Sequence, residues 1–334
     1  MRVLVTGDQG YIGSVLVKKL SNLGHKVLGV DIGYFSDCSI APVFNAYQKI
    51  KIDVRNIDQS LLDQIDCVIH LAGLSNDPLG EFDPQLTYDV NHTASVRLAK
   101  LAKSAGVKRF IFASSQSIYG VSDGIHEIAE NTDRINPVTA YAKAKHLAEI
   151  DLQKLNDDKF SVCCFRPATV FGPSPRFRSD IVFNNFMGSG FTTGKIEIKS
   201  DGSPVRPIVH IGDVVSILAA SIEIDEQKIA GQAFNIGLRG GNFSVKQIAD
   251  AACSAFADVQ PYYTNEHTDP RSYRVCFDKL YSTFQNFDLP KVNLETGANE
   301  LLNFFKEVDF KHEQFTGPKT VRLKQLQHVF AERE

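Results

Sequence analysis

The chain has 334 residues and a formal net charge of −3 at pH 7, and 43% of its residues are hydrophobic while 22% are charged. This length fits about two domains, and the composition can form a buried core. It excludes disordered, collagen-like and disulfide-scaffold proteins. The nearly balanced charge argues against a protein that binds nucleic acid or an anionic membrane.

The six cysteines show no metal-type spacing, so the sequence predicts no metal site. Several cysteines lie in apolar runs, as expected of unpaired thiols in a reducing compartment. No stretch approaches the roughly 18 apolar residues needed to cross a bilayer. The N-terminal residues enter a strand pattern at once, without a signal peptide. We therefore expect a cytoplasmic protein with no membrane partner.

Short β-branched runs alternate with longer helical patterns in the first half of the chain. Continuous apolar strands separated by helices indicate a parallel sheet covered on both faces, with right-handed crossovers. The sequence predicts an α/β fold with a doubly wound, Rossmann-like sheet. The predicted strands are residues 3–5, 26–30, 49–52, 67–71, 110–113 and 160–165, and the predicted helices lie near residues 12–23, 59–65, 85–104 and 138–155.

Three glycines lie between the first predicted strand and the first helix: Gly7, Gly10 and Gly13. The first permits a tight turn, the second lets the backbone approach a pyrophosphate, and the third allows close helix-to-strand packing. The helix N-terminus adds free N–H groups for phosphates. The spacing, G-x-x-G-x-x-G, differs from the commonest fingerprint, but its position between strand and helix indicates a dinucleotide site.

Asp31 ends the second predicted strand, 24 residues after Gly7. A carboxylate there accepts hydrogen bonds from the adenosine ribose and repels a 2′-phosphate, which favours NAD over NADP. Asp53 follows the third strand, where it would reach the adenine edge or, equally well, form a turn.

The chain changes character after Arg166, and residues 171–202 are rich in Gly, Pro, Arg and Asn. We predict an NAD-binding domain over residues 1–170, to which the chain returns at about residues 207–237. A smaller C-terminal α/β substrate-binding domain then comprises residues 171–206 and 238–334.

Tyr141 and Lys145 lie four residues apart in a helix predicted to begin near Asn136-Pro137, so both side chains project from one helical face. A lysine beside a phenol stabilises the phenolate, lowering its pKa from a reference near 10 and giving a general base. Ser115 follows the fifth strand, at the sheet edge where ligands bind.

Together these motifs resemble the extended short-chain dehydrogenase/reductase family, in its nucleotide-sugar epimerase/dehydratase branch. The resemblance covers about residues 1–280. The matching segments are Gly7-x-x-Gly10-x-x-Gly13, Asp31, His70-Leu71-Ala72-Gly73, Ser114-Ser115-x-x-x-Tyr119-Gly120, Tyr141-x-x-x-Lys145, Arg166-Pro167, Val170-Phe171-Gly172-Pro173, Arg206-Pro207-x-x-His210-Ile211-x-Asp213-Val214, Phe234-Asn235-Ile236-Gly237 and Asp269-x-Arg271-Ser272-Tyr273.

The resemblance implies an isomerase of carbohydrate biosynthesis that oxidises a nucleoside-diphosphate sugar with NAD and returns the hydride to the opposite face. Tyr141 would be the base, Lys145 would tune it and hold the nicotinamide ribose, and Ser115 would bond the reacting oxygen. The implied cofactor contacts are Gly7, Gly10, Tyr11, Ile12, Gly13, Asp31, Asp53, Val54, Leu71, Ala72, Gly73, Tyr141 and Lys145; the implied substrate contacts are Ser115, Gln116, Asn185, Arg206 and Arg271, the two arginines holding the diphosphate.

Two departures from the family pattern matter. Gln116 and Ser117 stand where the family's dehydratases carry an Asp-Glu pair, which disfavours simple dehydration. Thr169 stands where many members have an Asn that contacts the substrate. The alternatives are a nucleotide-sugar reductase or atypical dehydratase, and, remotely, a non-catalytic NAD-binding regulator. An intact Ser115, Tyr141 and Lys145 disfavours the regulator.

Three further expectations concern the second half of the chain and the assembly. Several arginines there should face the substrate, including Arg166 and Arg176, whereas Arg239 and Arg178 should be surface residues paired with acids. His210 and Asp213 should organise the returning segment. Family members commonly dimerise through the helices here at about residues 85–104 and 138–155, so we expect a homodimer.

Overall fold

A parallel sheet of seven strands, in the order β11-β7-β5-β4-β1-β2-β3, is the centre of the fold. The computed structural model describes residues 1–122, 125–132, 134–264 and 272–332. The strands are β1 (Arg2–Thr6), β2 (Lys26–Asp31), β3 (Gln48–Lys51), β4 (Cys67–His70), β5 (Arg109–Ala113), β6 (Glu127–Ile128), β7 (Ser161–Pro167), β8 (Thr169–Phe171), β9 (Ile196–Ile198), β10 (Val205–His210), β11 (Gln232–Ile236), β12 (Asn242–Ser244), β13 (Pro261–Tyr263) and β14 (Arg274–Val275).

Helices cover both faces of this sheet. Along β1, Val3 and Val5 pack on one face and Leu4 packs on the other, as the alternation of side chains in a strand requires. The helices are α1 (Gly13–Asn22), α2 (Asp77–Phe82), α3 (Pro84–Tyr88), α4 (Ala94–Ser104), α5 (Ala140–Gln153), α6 (Val182–Thr193), α7 (Ile211–Glu223), α8 (Val245–Cys253), α9 (Asp278–Thr283), α10 (Leu294–Glu307), α11 (His312–Thr316) and α12 (Arg322–Ala331).

The two faces have separate cores. Residues of α1 and α7 join the core that contains Val3, whereas residues of α4 and α5 join the core that contains Leu4. The sheet is thus doubly wound, and the predicted fold class is confirmed.

The last strand of the sheet, β11, returns from the second half of the chain and pairs with β7. Before it, β10 lies in a separate three-stranded sheet with β8 and β12. A third core, rich in phenylalanine, packs α6, α8 and α10 together. His210 caps α7 and Asp213 accepts the backbone N–H groups of Lys291 and Val292, so both organise this region as expected.

Two predicted helices differ from the observed ones. At residues 59–65 there is only a 3-10 turn, Gln59–Leu62, begun by the Asp58 side chain. The helix that carries Tyr141 begins at Ala140 with Thr139 as its cap, not at Asn136-Pro137. Asn136 donates its N–H to the Ile118 carbonyl at 3.0 Å, and this tertiary bond overrides the local capping preference.

Among the described residues, no helix is long and apolar enough to cross a membrane. In the same ranges, no three His, Cys, Asp or Glu side chains are grouped so as to hold a metal ion.

Candidate active site

A cavity of about 550 Å³ opens at the carboxyl ends of β1, β2, β4 and β5. It brings together the glycine motif, Asp31 and the Ser115, Tyr141 and Lys145 side chains. All of the predicted cofactor residues line it, namely Gly7, Gly10, Tyr11, Ile12, Gly13, Asp31, Asp53, Val54, Leu71, Ala72, Gly73, Tyr141 and Lys145.

The glycine motif forms a cradle in which Gly7 and Gly13 have no room for a side chain. Gly7 has φ +72°, and a Cβ there would lie 2.8 Å from the Ala72 backbone nitrogen at the end of β4. A Cβ on Gly13 would collide with the Gly7 carbonyl oxygen. The bare backbone at the start of α1 thus offers N–H groups to a diphosphate, and these residues fit NAD.

Asp31 lies at the end of β2, with its carboxylate held in place by backbone groups. Its Oδ1 accepts the N–H of Gly33 at 2.7 Å and its Oδ2 accepts the N–H of Gln9 at 3.3 Å. Burial raises the pKa of this carboxyl, while the two backbone bonds act against that rise. A fixed acceptor in this place is suited to two ribose hydroxyls.

Asp53 lines the same cavity, but its side chain also forms a turn. Its Oδ1 accepts the N–H of Arg55 at 2.9 Å and its Oδ2 pairs with the Arg55 guanidinium at 2.6 Å. Asp53 thus has the turn-forming role that was its alternative interpretation.

Tyr141 and Ser115 both line the cavity, where the Ser115 hydroxyl donates to that of Ser117 at 3.1 Å. Tyr141 is 7% exposed, and burial raises the pKa of its phenol to about 12 while the Ser115 hydroxyl acts to lower it. Lys145 donates its ammonium to the Ala113 carbonyl at 2.7 Å and lies 4.6 Å from the centroid of the Phe112 ring. Burial lowers the pKa of Lys145 to about 8.

These values correct one expectation, because in the protein alone the phenol pKa is raised, not lowered. The positive group that counteracts the burial of Tyr141 is Arg178. Lys145 directs its charge to the Ala113 carbonyl at the end of β5.

Arg178 was expected at the surface, and the structure places it in the cavity at 6% exposure. It is paired with an acid as predicted, since both Asp180 oxygens accept from its guanidinium at 2.9 Å. Its Nη1 also donates to the Ser75 hydroxyl at 2.9 Å. Sequence reasoning missed this residue because a long-range fold contact, not a local motif, brings it beside Tyr141.

Of the remaining expectations for arginines, the one for Arg239 is confirmed and the one for Arg166 is wrong. Arg239 pairs with Asp278 at 3.1 Å on the surface, as expected. Arg166 does not face the cavity; it forms a buried ion pair with Glu149 at 2.6 Å, because a guanidinium inside the fold needs a charged partner.

The predicted substrate contacts are partly brought together. Gln116 and Arg206 line the cavity, whereas Asn185 does not, because its amide donates to the Ser179 carbonyl at 2.9 Å. Arg271 lies outside the described residues. Gln116 donates to the carbonyls of Arg166 and Ile236, and its Oε1 has no partner within the described part of the chain.

Comparison with known proteins agrees with this geometry. The model of the "NAD dependent epimerase/dehydratase family" matches residues 3–237. The chain is 30% identical over 323 residues to a UDP-glucose 4-epimerase of Mycolicibacterium smegmatis, covering 92% of this chain and 99% of that protein. It is 28% identical over 305 residues to a UDP-glucose 4-epimerase of Bacillus subtilis, covering 83% of this chain and 88% of that one.

Solved structures of other proteins share the fold of this chain. MoeE5 in complex with UDP-glucose and NAD superposes with a TM-score of 0.76 at 26% identity, over 93% of this chain and 100% of that chain. A UDP-glucose 4-epimerase of Thermotoga maritima, with UDP-glucose, shares the fold with a TM-score of 0.79 at 24% identity, over 93% and 100% of the two chains. The chain belongs to the NAD-dependent epimerase/dehydratase family, as an NAD-dependent nucleotide-sugar epimerase of the extended short-chain dehydrogenase/reductase type.

Proposed function

We propose that this epimerase acts on a UDP-hexose and inverts its configuration at C4 through a transient keto-sugar. The observation that carries the proposal is the presence of Ser115, Tyr141 and Lys145 in one cavity with the glycine cradle. The uridine nucleotide and the carbon are suggested by the two UDP-glucose 4-epimerases that the chain resembles.

In this proposal Tyr141 removes the proton from the sugar hydroxyl and later returns it. Ser115 holds the same oxygen, and Lys145 holds the nicotinamide ribose. Bound NAD supplies the site that accepts a hydride and gives it back. Burial raises the phenol pKa to about 12 in the protein alone, so in this proposal the bound ligands lower it for Tyr141 to act as a base near pH 7.

The residues after Ser115 argue against elimination of water. Gln116 donates its amide to two backbone carbonyls, and the Ser117 hydroxyl accepts from that of Ser115 at 3.1 Å. Neither is an acid or base of the strength that elimination needs. The nearby carboxylates are already bonded: Asp77 accepts from Thr139 at 2.6 Å, and Asp180 pairs with Arg178.

We further propose a cytoplasmic homodimer in which α4 and α5 of each subunit form the contact. On α5, Leu147 and Ile150 are 40% and 42% exposed, one turn apart, which gives that helix an outward apolar face. The predicted division at residue 170, with a smaller substrate-binding domain after it, is part of the same proposal. Arg206, and Arg271 outside the described residues, would hold the diphosphate of the sugar nucleotide.

The decisive experiment follows the purified protein with a panel of UDP-, GDP-, CDP- and dTDP-hexoses, without added cofactor, by NMR. We expect an isomer of unchanged mass from a UDP-hexose, with inverted C4. Loss of water from the sugar would establish the atypical dehydratase, and turnover that consumes added reduced cofactor would establish the reductase. If none of the sugars reacts although NAD binds, the non-catalytic interpretation is correct.

A further inference from the structure

A buried arginine from the far end of the chain reaches the cavity. Arg322 is the first residue of α12, is 2% exposed, and lines the same cavity as the glycine cradle. Its Nη2 donates to the Arg176 carbonyl at 2.7 Å and its Nη1 to the Lys319 carbonyl at 3.4 Å. Neither partner carries a negative charge.

Arg176 was expected to face the substrate, but it does not line the cavity; it is buried at 4% exposure, and its carbonyl accepts from Arg322. Its Nη1 donates to the carbonyls of Phe35 and Ser36, and its Nε has no partner among the described residues. Within those residues, no carboxylate forms an ion pair with Arg322 or Arg176. Burial lowers the pKa of both guanidiniums, and the carboxylates of Asp31, Asp37 and Asp180 act against this only from beyond ion-pair distance. A buried charge without a directly bonded anion is costly.

The position of this pair points to one end of the cavity. The Arg322 guanidinium lies 4.8 Å from the centroid of the Phe35 ring, four residues after Asp31. The charges of both arginines act on the Asp31 carboxyl, where they lower its pKa against the effect of burial. Since Arg322 lies over the Phe35 ring and Arg176 bonds to the Phe35 and Ser36 carbonyls, both cations contact the segment that follows Asp31.

The helix α12 contacts the segment after β2 on one side and α2 on the other. Gln325 donates to the Tyr34 carbonyl at 3.2 Å, and the Phe330 ring meets the Tyr34 ring at 5.8 Å. Leu326 is fully buried against Leu79 of α2. The helix thus joins the segment after β2 to α2, and it presents Arg322 to the cavity between them.

We propose that Arg322, supported by the charge of Arg176, binds the phosphate oxygens on the adenosine side of NAD, so that α12 is a part of the cofactor site. Guanidinium groups bind phosphate with paired, charge-assisted hydrogen bonds, and a phosphate would supply the directly bonded anion that Arg322 lacks. This inference rests on the cofactor site proposed above.

The test measures binding by calorimetry in the full-length protein, freed of nucleotide, with ADP-ribose and adenosine as probes. Arg322→Gln keeps an amide donor and removes the charge. We expect the Kd of ADP-ribose to rise about 10- to 100-fold, as for the loss of a charged hydrogen bond, with adenosine binding unchanged. Arg322→Lys, which keeps the charge without the planar fork, should show a smaller loss.

Arg239→Gln is the matched control, because Arg239 is an exposed arginine paired with Asp278, and it should change neither affinity. An unchanged Kd for ADP-ribose in Arg322→Gln overturns the inference. An equal loss for adenosine and ADP-ribose also overturns it, since Arg322 would then only shape the pocket. Asp31→Ala distinguishes a failure of the Arg322 proposal from a failure of the cofactor site on which it rests. If Asp31→Ala also leaves ADP-ribose binding unchanged, the proposed cofactor site is wrong.

If Arg322→Gln does not fold, Arg322→Lys is measured in its place, and a smaller rise in the Kd of ADP-ribose is expected. A second measurement, hydrogen exchange of the wild-type protein, requires no variant. Protection of the α12 amides from hydrogen exchange should rise on addition of ADP-ribose and stay constant with adenosine; absence of this difference counts against the inference.

Discussion

Gly80 of α2 lies directly against Tyr141 of α5. A Cβ at Gly80 would come within 2.8 Å of the Tyr141 Cβ and 3.1 Å of its backbone nitrogen. The two helices are also joined at the start of α5, where Glu81 accepts the N–H of Ala140 at 2.7 Å. The short helix α2 therefore fixes where the proposed base stands.

Gly80→Ala should lower kcat by at least about tenfold, because a shift of Tyr141 by a fraction of an ångström misaligns proton transfer. The affinity for NAD should change much less. Steady-state kinetics with calorimetric NAD binding measures both effects.

Gly188→Ala is the matched control for this variant. Its new methyl would lie 2.7 Å from the Phe315 ring in the phenylalanine-rich core, away from the cavity. We expect a lower Tm with normal kcat. If Gly80→Ala behaves in the same way, α2 has no positioning role.

Asp31→Ser should relax the choice of cofactor. The serine removes the carboxylate that repels a 2′-phosphate, and Arg176 and Arg322 remain beside the site. We expect NADP to bind at least about tenfold more tightly than to the wild-type protein, and NAD to bind more weakly. Asp66→Ser, at an exposed edge of the sheet, is the control for loss of an aspartate. Unchanged NADP affinity in Asp31→Ser would contradict the assignment of this carboxylate.

The local parts of the fold and site could be predicted from the sequence. Every predicted strand is present, because an apolar run between turn residues indicates a buried strand without knowledge of its neighbours. The glycine cradle and the Tyr141–Lys145 pair are also local, since both lie within single turns of a helix or loop.

The arginines of the cavity could not be predicted in this way. Gln325 and Tyr34, which anchor α12 over the cavity, are 291 positions apart. No spacing rule relates residues so distant, so Arg322 remained unnoticed and Arg178 was assigned to the surface. The same limit explains the misplaced start of α5, which a contact between Asn136 and Ile118 decides.

Leu147→Glu combined with Ile150→Glu should separate the proposed dimer. Two charges on the outward face of α5 would have to be buried in the contact, which is costly without partners. We expect a dimer mass for the wild-type protein at micromolar concentration and a monomer mass for the variant, measured by analytical ultracentrifugation. Leu23→Glu, at a position 51% exposed at the end of α1, should leave the mass unchanged. A monomeric wild-type protein would disprove the proposal.

Tyr141→Phe removes one hydroxyl, so the fold and NAD binding should survive while turnover falls by at least about 10²-fold. Ser115→Ala should lower turnover less, because it loses a hydrogen bond and leaves the proton acceptor in place. Both variants should bind UDP normally, since the proposed diphosphate contacts lie elsewhere. Near-normal turnover by Tyr141→Phe would mean that another group removes the proton.

Lys145→Met should stabilise the protein while it abolishes most of the turnover. Burial lowers the pKa of Lys145 from 10.5 to about 8, so below pH 8 the wild-type fold carries an ammonium that unfolding would release to water. Between pH 8 and 10.5 the unfolded chain binds more protons than the folded one, and wild-type stability rises with pH. Below pH 8 the shifted pKa of Lys145 destabilises the wild-type fold by roughly 3 kcal/mol. The variant gains this amount less the contribution of the lost hydrogen bond to Ala113. Urea unfolding should therefore give the variant a larger free energy of unfolding than the wild type at pH 7. This difference should become smaller as the pH approaches 10.5. A gap that stays constant across this range would show that Lys145 titrates normally in the folded protein.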